Sequence, residues 1–479
     1  MGHVRHARLP AGRNPHPDGT TDFDPAIHTN QLTLCSALFS TAERSSATTL
    51  EFRHNLIARQ RRNMPTERCV MAKATTNAYL PKALVAPQLT HAIHSAAAAL
   101  GGKISTTTVR MPITNVLNDG DYSGRIYVGN KKVEVDVLLD TGSSTLAVDG
   151  HIYDPTKDST AELTNIGQEI GYEDGSRWVG GIVLTDISVN SAHPLTLPKV
   201  HTAVAYHATK EMFGRAHGIL GLAYARLNEA YRMPGPTTPP HYTYNQIQHG
   251  HRTYIEPYFS QLEGAGLVAN KFAFYTLRSS VSMATAKPAT DPQNSGFLIL
   301  GGGEEQIDLY DGAFQVARVV HDTYYNVNLR SVTVGNTVPV EAFPPTKASG
   351  DASNAVVDSG TTGIYLDRPV FKEVLARFKS LGFEDEIHAG YLPMSKLKLA
   401  DWPVLTFVLE GALGSDVTLE VTPQTYWQTD APKAGHASLA FGSENGPSIL
   451  GLPLMNNYFT VFDRSINKGL GVVSFARIK

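Results

Sequence analysis

Asp140 and Asp358 are the two residues of this 479-residue chain best placed to do chemistry. Each ends an apolar run and opens a tight turn: Val137-Leu138-Leu139-Asp140-Thr141-Gly142-Ser143-Ser144, and Ala355-Val356-Val357-Asp358-Ser359-Gly360-Thr361-Thr362. The apolar residues read as buried strands and the hydroxyl–glycine step as a turn. Two such carboxylates brought face to face share one proton and activate a water. That is what cleaving a peptide bond requires when neither a metal nor a side-chain nucleophile is used.

One Asp-Thr/Ser-Gly triplet is weak evidence, expected by chance in roughly one chain in five of this length. The duplication is stronger, because each copy is followed at long range by two aliphatics and a glycine. Ile219-Leu220-Gly221 closes 81 residues after Asp140, and Ile449-Leu450-Gly451 closes 93 after Asp358. Strand, acidic turn, excursion and aliphatic-aliphatic-Gly recur in the same order, so the repeat sets the architecture.

On these motifs the chain resembles the pepsin-like aspartic proteases over about residues 110–479. The resemblance extends to Gly218-Ile219-Leu220-Gly221-Leu222-Ala223-Tyr224 and to Tyr458-Phe459-Thr460-Val461-Phe462-Asp463-Arg464. It implies an all-β, bilobal fold: two pseudo-twofold β-lobes with a few short helices. It implies an aspartic endopeptidase with Asp140 and Asp358 as the catalytic pair. Thr141 and Ser359 would tie the turns together, with Gly142 and Gly360 beside them, and Ser143 and Thr361 would bond the outer carboxylate oxygens. Ile170-Gly171-Tyr172-Glu173-Asp174-Gly175-Ser176, returning through Trp178, reads as a hairpin with an Asp-Gly turn. It matches the family's flap, which makes Tyr172 and Gly175 substrate-binding candidates, joined by Ile219 and Ile364.

Departures from the family pattern are local. Ala147 stands where a tryptophan usually bonds the flap tyrosine, and Trp178 is a candidate to replace it. Leu452 takes the place of a frequent acid and is expected to alter a substrate pocket. His217 precedes Gly218 where aspartate is common. The narrower resemblance is to disulfide-free bacterial pepsin homologues of the shewasin type.

The composition narrows the partners. Lys and Arg total 41 against 44 acids, which gives no reason to expect nucleic acid. The balance is uneven: residues 1–105 hold 12 basic and 6 acidic side chains, leaving 29 and 38 for the remainder. No apolar run reaches the 18 residues a spanning helix needs, so no membrane association is expected. Cys35 and Cys69 are the only cysteines, and no asparagine sits in an Asn-x-Ser/Thr acceptor site. With no hydrophobic signal core at the N-terminus, these features point to a reducing, cytoplasmic location. A monomer acting on peptide or protein substrates is expected, with no cofactor and no metal. His241, His249 and His251 read as solvated loop residues.

Three segments follow: 1–105 as a disordered extension, 106–310 as an N-terminal lobe with the flap, and 311–479 as a C-terminal lobe. The extension fits a start placed too far upstream (Met64 or Met71 being the true one), a propeptide using Glu51–Ile57, or a targeting arm. Arg59-Gln60-Arg61-Arg62 reads as a solvated basic run. Met111–Val116 should open the body, Gly120–Gly129 should form an edge strand, and a helix is expected over Tyr254–Leu262. Pro234–Pro240 reads as a surface loop, and Ala286–Ser295 as the approach to an interlobe sheet at Phe297–Gly302. Two other readings compete: a catalytically inactive pepsin-fold binder or inhibitor, and an actin-like kinase or ATPase, whose phosphate loops also read Asp-x-Gly-Thr-Thr.

Overall fold

The computed structural model describes residues 107–172, 176–189, 194–208, 213–235, 241–342 and 353–479. The extension, its two cysteines, Arg59–Arg62, Gly175 and most of the Pro234–Pro240 loop lie outside them. Among the described residues the architecture is mostly β with a few short helices, as a bilobal pepsin-like fold requires. No helix there is long and apolar enough to cross a membrane.

The strand Val133–Asp140 shows why the first turn sits where it does. Its first two residues are partly exposed, and its last six are buried. A strand buried on both faces must be continuously apolar, and Val137-Leu138-Leu139 satisfies that. Burying each of these side chains contributes about 1.5–3 kcal/mol, which anchors the backbone that delivers Asp140. Gly218–Gly221 pairs with it in parallel, and Leu146–Asp149 pairs with Gly218–Gly221 antiparallel. The second half repeats this arrangement: Ala355–Val357 pairs in parallel with Ser448–Leu450, which pairs antiparallel with Ile364–Asp367.

The first-half strands belong to a 15-stranded sheet. One end of it comprises Val109–Asn118, Ser295–Leu300, Lys271–Tyr275, Tyr458–Asp463, Val472–Ile478 and Tyr310–Arg318. Strands from both ends of the sequence meet here, so this sheet joins the halves behind the two turns. Phe272 and Phe462 stack at 5.0 Å within it, and Tyr325 packs edge-on against Phe462 at 4.5 Å. Smaller sheets of five, four and three strands complete the second half. In Val417–Val421 buried and exposed residues alternate strictly, the pattern of a strand with one wet face.

Three details differ from expectation. Asp121–Val128 is no edge strand: it lies between Val109–Asn118 and Val133–Asp140, and also touches Arg177–Val189. The expected helix begins at Tyr258, because His251–Tyr254 is a strand and Pro257 caps the helix. A longer helix, Arg368–Ser380, buries Val370, Val374 and Phe378. Their four-residue spacing and Pro369 in the first turn are sequence signals for it.

Candidate active site

Each turn is held from behind by the glycine that ends an Ile-Leu-Gly strand. A Cβ on Gly221 would lie 2.4 Å from the Ser144 nitrogen, and one on Gly451 would lie 2.3 Å from the Thr361 carbonyl oxygen. No other residue fits at either place. The strands then lock on through backbone bonds: Leu222 N to Asp140 O at 2.7 Å, and Leu452 N to Thr361 O at 2.8 Å.

Across the pseudo-twofold axis the turns grip one another. Thr141 N donates to Ser359 Oγ at 3.1 Å, and Ser359 N to Thr141 Oγ1 at 2.8 Å. Each hydroxyl also donates to the opposite strand: Thr141 Oγ1 to Val357 O at 3.2 Å, and Ser359 Oγ to Leu139 O at 2.9 Å. All four groups are buried, so losing any one strands its partners.

The carboxylates receive matching donors. Gly142 N and Gly360 N each donate at 2.9 Å to the Oδ1 of Asp140 and Asp358 respectively. Ser143 Oγ donates to Asp140 Oδ2 at 2.5 Å, and Thr361 Oγ1 to Asp358 Oδ2 at 2.7 Å. Gly360 belongs to the second turn, yet a Cβ there would lie 2.3 Å from Asp140 Oδ1. The first carboxylate is thus pressed against the second turn, far away along the chain. Asp140 and Asp358 are 2% and 4% exposed.

The hairpin formed by Glu162–Gly171 and Arg177–Val189 arches from the first half. Tyr172 N bonds Ser176 O at 2.8 Å to close it, while the tip residues 173–175 are outside the described set. Trp178 Nε1 donates to the Tyr172 hydroxyl at 3.3 Å, so Trp178 partners the tyrosine from within the hairpin. Its indole is fully buried in one cluster with Ala147, Tyr172 and Ile219.

Sequence reasoning missed the device that ties this hairpin to the first turn. Gln168 is fully buried, and its Nε2 donates to Thr145 Oγ1 at 3.0 Å, Asn228 Oδ1 at 2.9 Å and Glu229 O at 2.9 Å. Thr145 Oγ1 in turn donates to Asn228 Oδ1 at 2.7 Å. A glutamine in a buried strand position was the available signal, since a lone buried amide needs partners. The outer face is covered too. Glu229–Arg232 extends the hairpin's sheet, and Ile247 from the helix Tyr244–Gln248 sits where a Cβ on Gly167 would be, 2.2 Å away. Arg177 lies over the Tyr244 ring at 4.3 Å. Burial there pushes the Glu169 carboxyl up, despite Arg177 nearby.

Other candidates fall elsewhere. Ile219 is 2% exposed and belongs to the same buried cluster as Tyr172, whereas Ile364 is fully buried in the main core and presents no surface to a groove. Leu452 is fully buried as well, so the expectation that it reshapes an open pocket is corrected. His217 accepts from Asp136 N at 3.3 Å. His241 stacks on Tyr206 at 3.5 Å, and His249 and His251 are exposed. No group of three or more potential ligands close enough to hold a metal occurs among the described residues.

A family model described as eukaryotic aspartyl protease matches residues 121–477. Human cathepsin D is 27% identical over 77% of this chain and 84% of its own length. Cathepsin D of Chionodraco hamatus is 25% identical, covering 75% and 82%. Pepsin A of Gallus gallus is 24% identical, covering 78% and 89%.

Proposed function

Because the chain belongs to the eukaryotic aspartyl protease family and is an aspartic endopeptidase, we propose that Asp140 and Asp358 are its catalytic pair. The observation that carries this reading is the cross-bonded pair of turns, with Gly360 pressed onto the Asp140 carboxylate. One carboxylate, ionised, takes a proton from a water held between the two as that water attacks the scissile carbonyl. The other, protonated, donates to the carbonyl oxygen, giving a gem-diol. The proton belongs to the pair, not to either residue. Ser143 and Thr361 leave each outer oxygen bonded, which orients the inner oxygens toward the water. Tyr172, held by Trp178, closes over a bound peptide or protein, and Ile219 belongs to the same buried cluster.

Activity peaks at acid pH in this account, since the shared proton leaves as pH rises. The cysteine-free segment 121–477 can hold no disulfide, which supports a protein of a reducing compartment, similar to the disulfide-free bacterial homologues. The full chain, assayed on a peptide library at pH 3–7 with and without pepstatin, should cleave at acid pH and be inhibited. Asp140→Asn and Asp358→Asn should each reduce kcat by about 10³-fold or more with an unchanged melting temperature. Cleavage that survives either substitution removes the pair from the mechanism. Equal rates at pH 3 and pH 7 remove the shared proton.

A further inference from the structure

Arg464 lies directly behind the first acidic turn and carries a charge that no carboxylate among the described residues answers. Its side chain is 5% exposed. Nε donates to the Tyr325 hydroxyl at 2.8 Å, and Nη2 to the carbonyl oxygens of Leu222 and Ala223. Nη1 reaches Ser260 Oγ at 3.5 Å. The rings of Tyr224, Phe259 and Tyr325 surround the guanidinium, with centroids 4.4, 5.5 and 5.5 Å from its carbon. Among the described residues no Asp or Glu oxygen lies within 4.0 Å of it. The hydrogen-bond partners of the guanidinium among the described residues are all neutral oxygens, those of Tyr325, Leu222, Ala223, Ser260 and Tyr224. A buried cation left in this state is expensive unless something anionic reaches it.

Room for that anion exists. Arg464 and Ser260 line a cavity of about 300 Å³ together with Asn270 and Lys468. The Lys468 ammonium and the Asn270 side-chain amide make no hydrogen bond or ion pair among the described residues. Arg226, also on the wall, is matched by Asp322 at 3.3 Å. Of the lining acids, only Glu263, at the exposed rim, stands against the two remaining cations.

We propose that this cavity is a binding site for a small oxyanion of the phosphate or carboxylate class. The anion sits on Nη1 of Arg464, with Lys468 and the Asn270 amide as further donors. Its effect is felt at the first turn. Arg464 Nη2 holds the carbonyls of Leu222 and Ala223, whose amides donate to Asp140 O and Ser143 O, each at 2.7 Å. Filling the site therefore fixes the backbone on which Asp140 stands.

Thermal melting of the full chain in inorganic phosphate, sodium acetate and sodium chloride at matched ionic strength tests this. Phosphate or acetate should raise Tm saturably by roughly 2–5 °C above chloride, and whichever does so names the anion's geometry. Lys468→Ala, at an exposed position, should leave the chloride Tm within about 1 °C and raise the midpoint oxyanion concentration roughly 3–10-fold. Ser260→Asp places a carboxylate beside Nη1, so it should raise the chloride Tm and abolish the oxyanion response. Oxyanion shifts no larger than those of chloride overturn the proposal, as does a response unchanged in Lys468→Ala. If Ser260→Asp does not fold, the phosphorus NMR line of inorganic phosphate should broaden with wild type and broaden less with Lys468→Ala. Equal line widths with the two proteins would likewise overturn it.

Discussion

The donors to the Asp140 and Asp358 carboxylates match between the two halves, from the 2.9 Å glycine amides to the hydroxyls on the outer oxygens. Away from the turns they diverge. Beyond the first turn comes a long hairpin braced by buried polar groups: Gln168 against Thr145 and Asn228, and Asp158 against Tyr153 and Thr185. Beyond the second comes the helix Arg368–Ser380, packed through Phe378 on Trp402, Tyr426 and Phe441. Symmetry is kept at the turns that carry the two carboxylates and is relaxed in the segments beyond them.

The strongest attack on the symmetric part is steric. Gly221→Ala and Gly451→Ala should each cost roughly 2–4 kcal/mol in denaturant unfolding, by comparable amounts, because each Cβ meets the backbone of its own turn. A cost confined to one half would mean the two turns are braced by different means.

Acid should separate the halves next. Burial alone would raise the Asp158 carboxyl, but bonds from Thr185 and Tyr153, at 2.6 Å each, and from the Asn130 and Thr160 amides outweigh it and hold it well below the usual range. A carboxylate depressed in the folded state stabilises above its unfolded value of about 4, and that stabilisation fades as pH falls through the folded value. Asp158→Asn should thus lower Tm by roughly 5 °C at pH 6, with the difference shrinking below about pH 4. A loss that persists undiminished at pH 2 would assign it to packing rather than charge.

The cross-axis hydroxyls are worth less. Thr141→Val and Ser359→Ala should each destabilise by about 1–2 kcal/mol, and the double variant by less than the sum, since they share partners. Strict additivity would show that the crossing bonds do not act as a unit. Smallest is the hairpin bond: Trp178→Phe keeps most of the ring but removes the donor to Tyr172. It should reduce kcat/KM about 3–10-fold with Tm changed by no more than ~2 °C, and Tyr172→Phe added to it should cost little more. A full additional loss would show the two residues acting separately.

The repeat made the pseudo-twofold core legible before any coordinates, because apolar runs, acidic turns and long-range glycines are written locally in the chain. The Trp178–Tyr172 contact was legible too, since Trp178 pairs with Ile170 and so lies diagonally across the hairpin from Tyr172 on the same face. The Gln168 brace, the Ile247 cover on Gly167 and the burial of Ile364 were not. Each depends on segments far apart in sequence, and side-chain alternation alone does not say what packs on a given face.

What the sequence determined by itself was the chemistry on offer: two carboxylates, the small residues that let strands close on their turns, and the hydroxyls beside them. Only the tertiary structure decided that Gly360 rests on Asp140, and that Arg464 is buried among rings and carbonyls. Such contacts join residues 139 to 241 positions apart, and sequence patterns, being local, carry no distance across a fold.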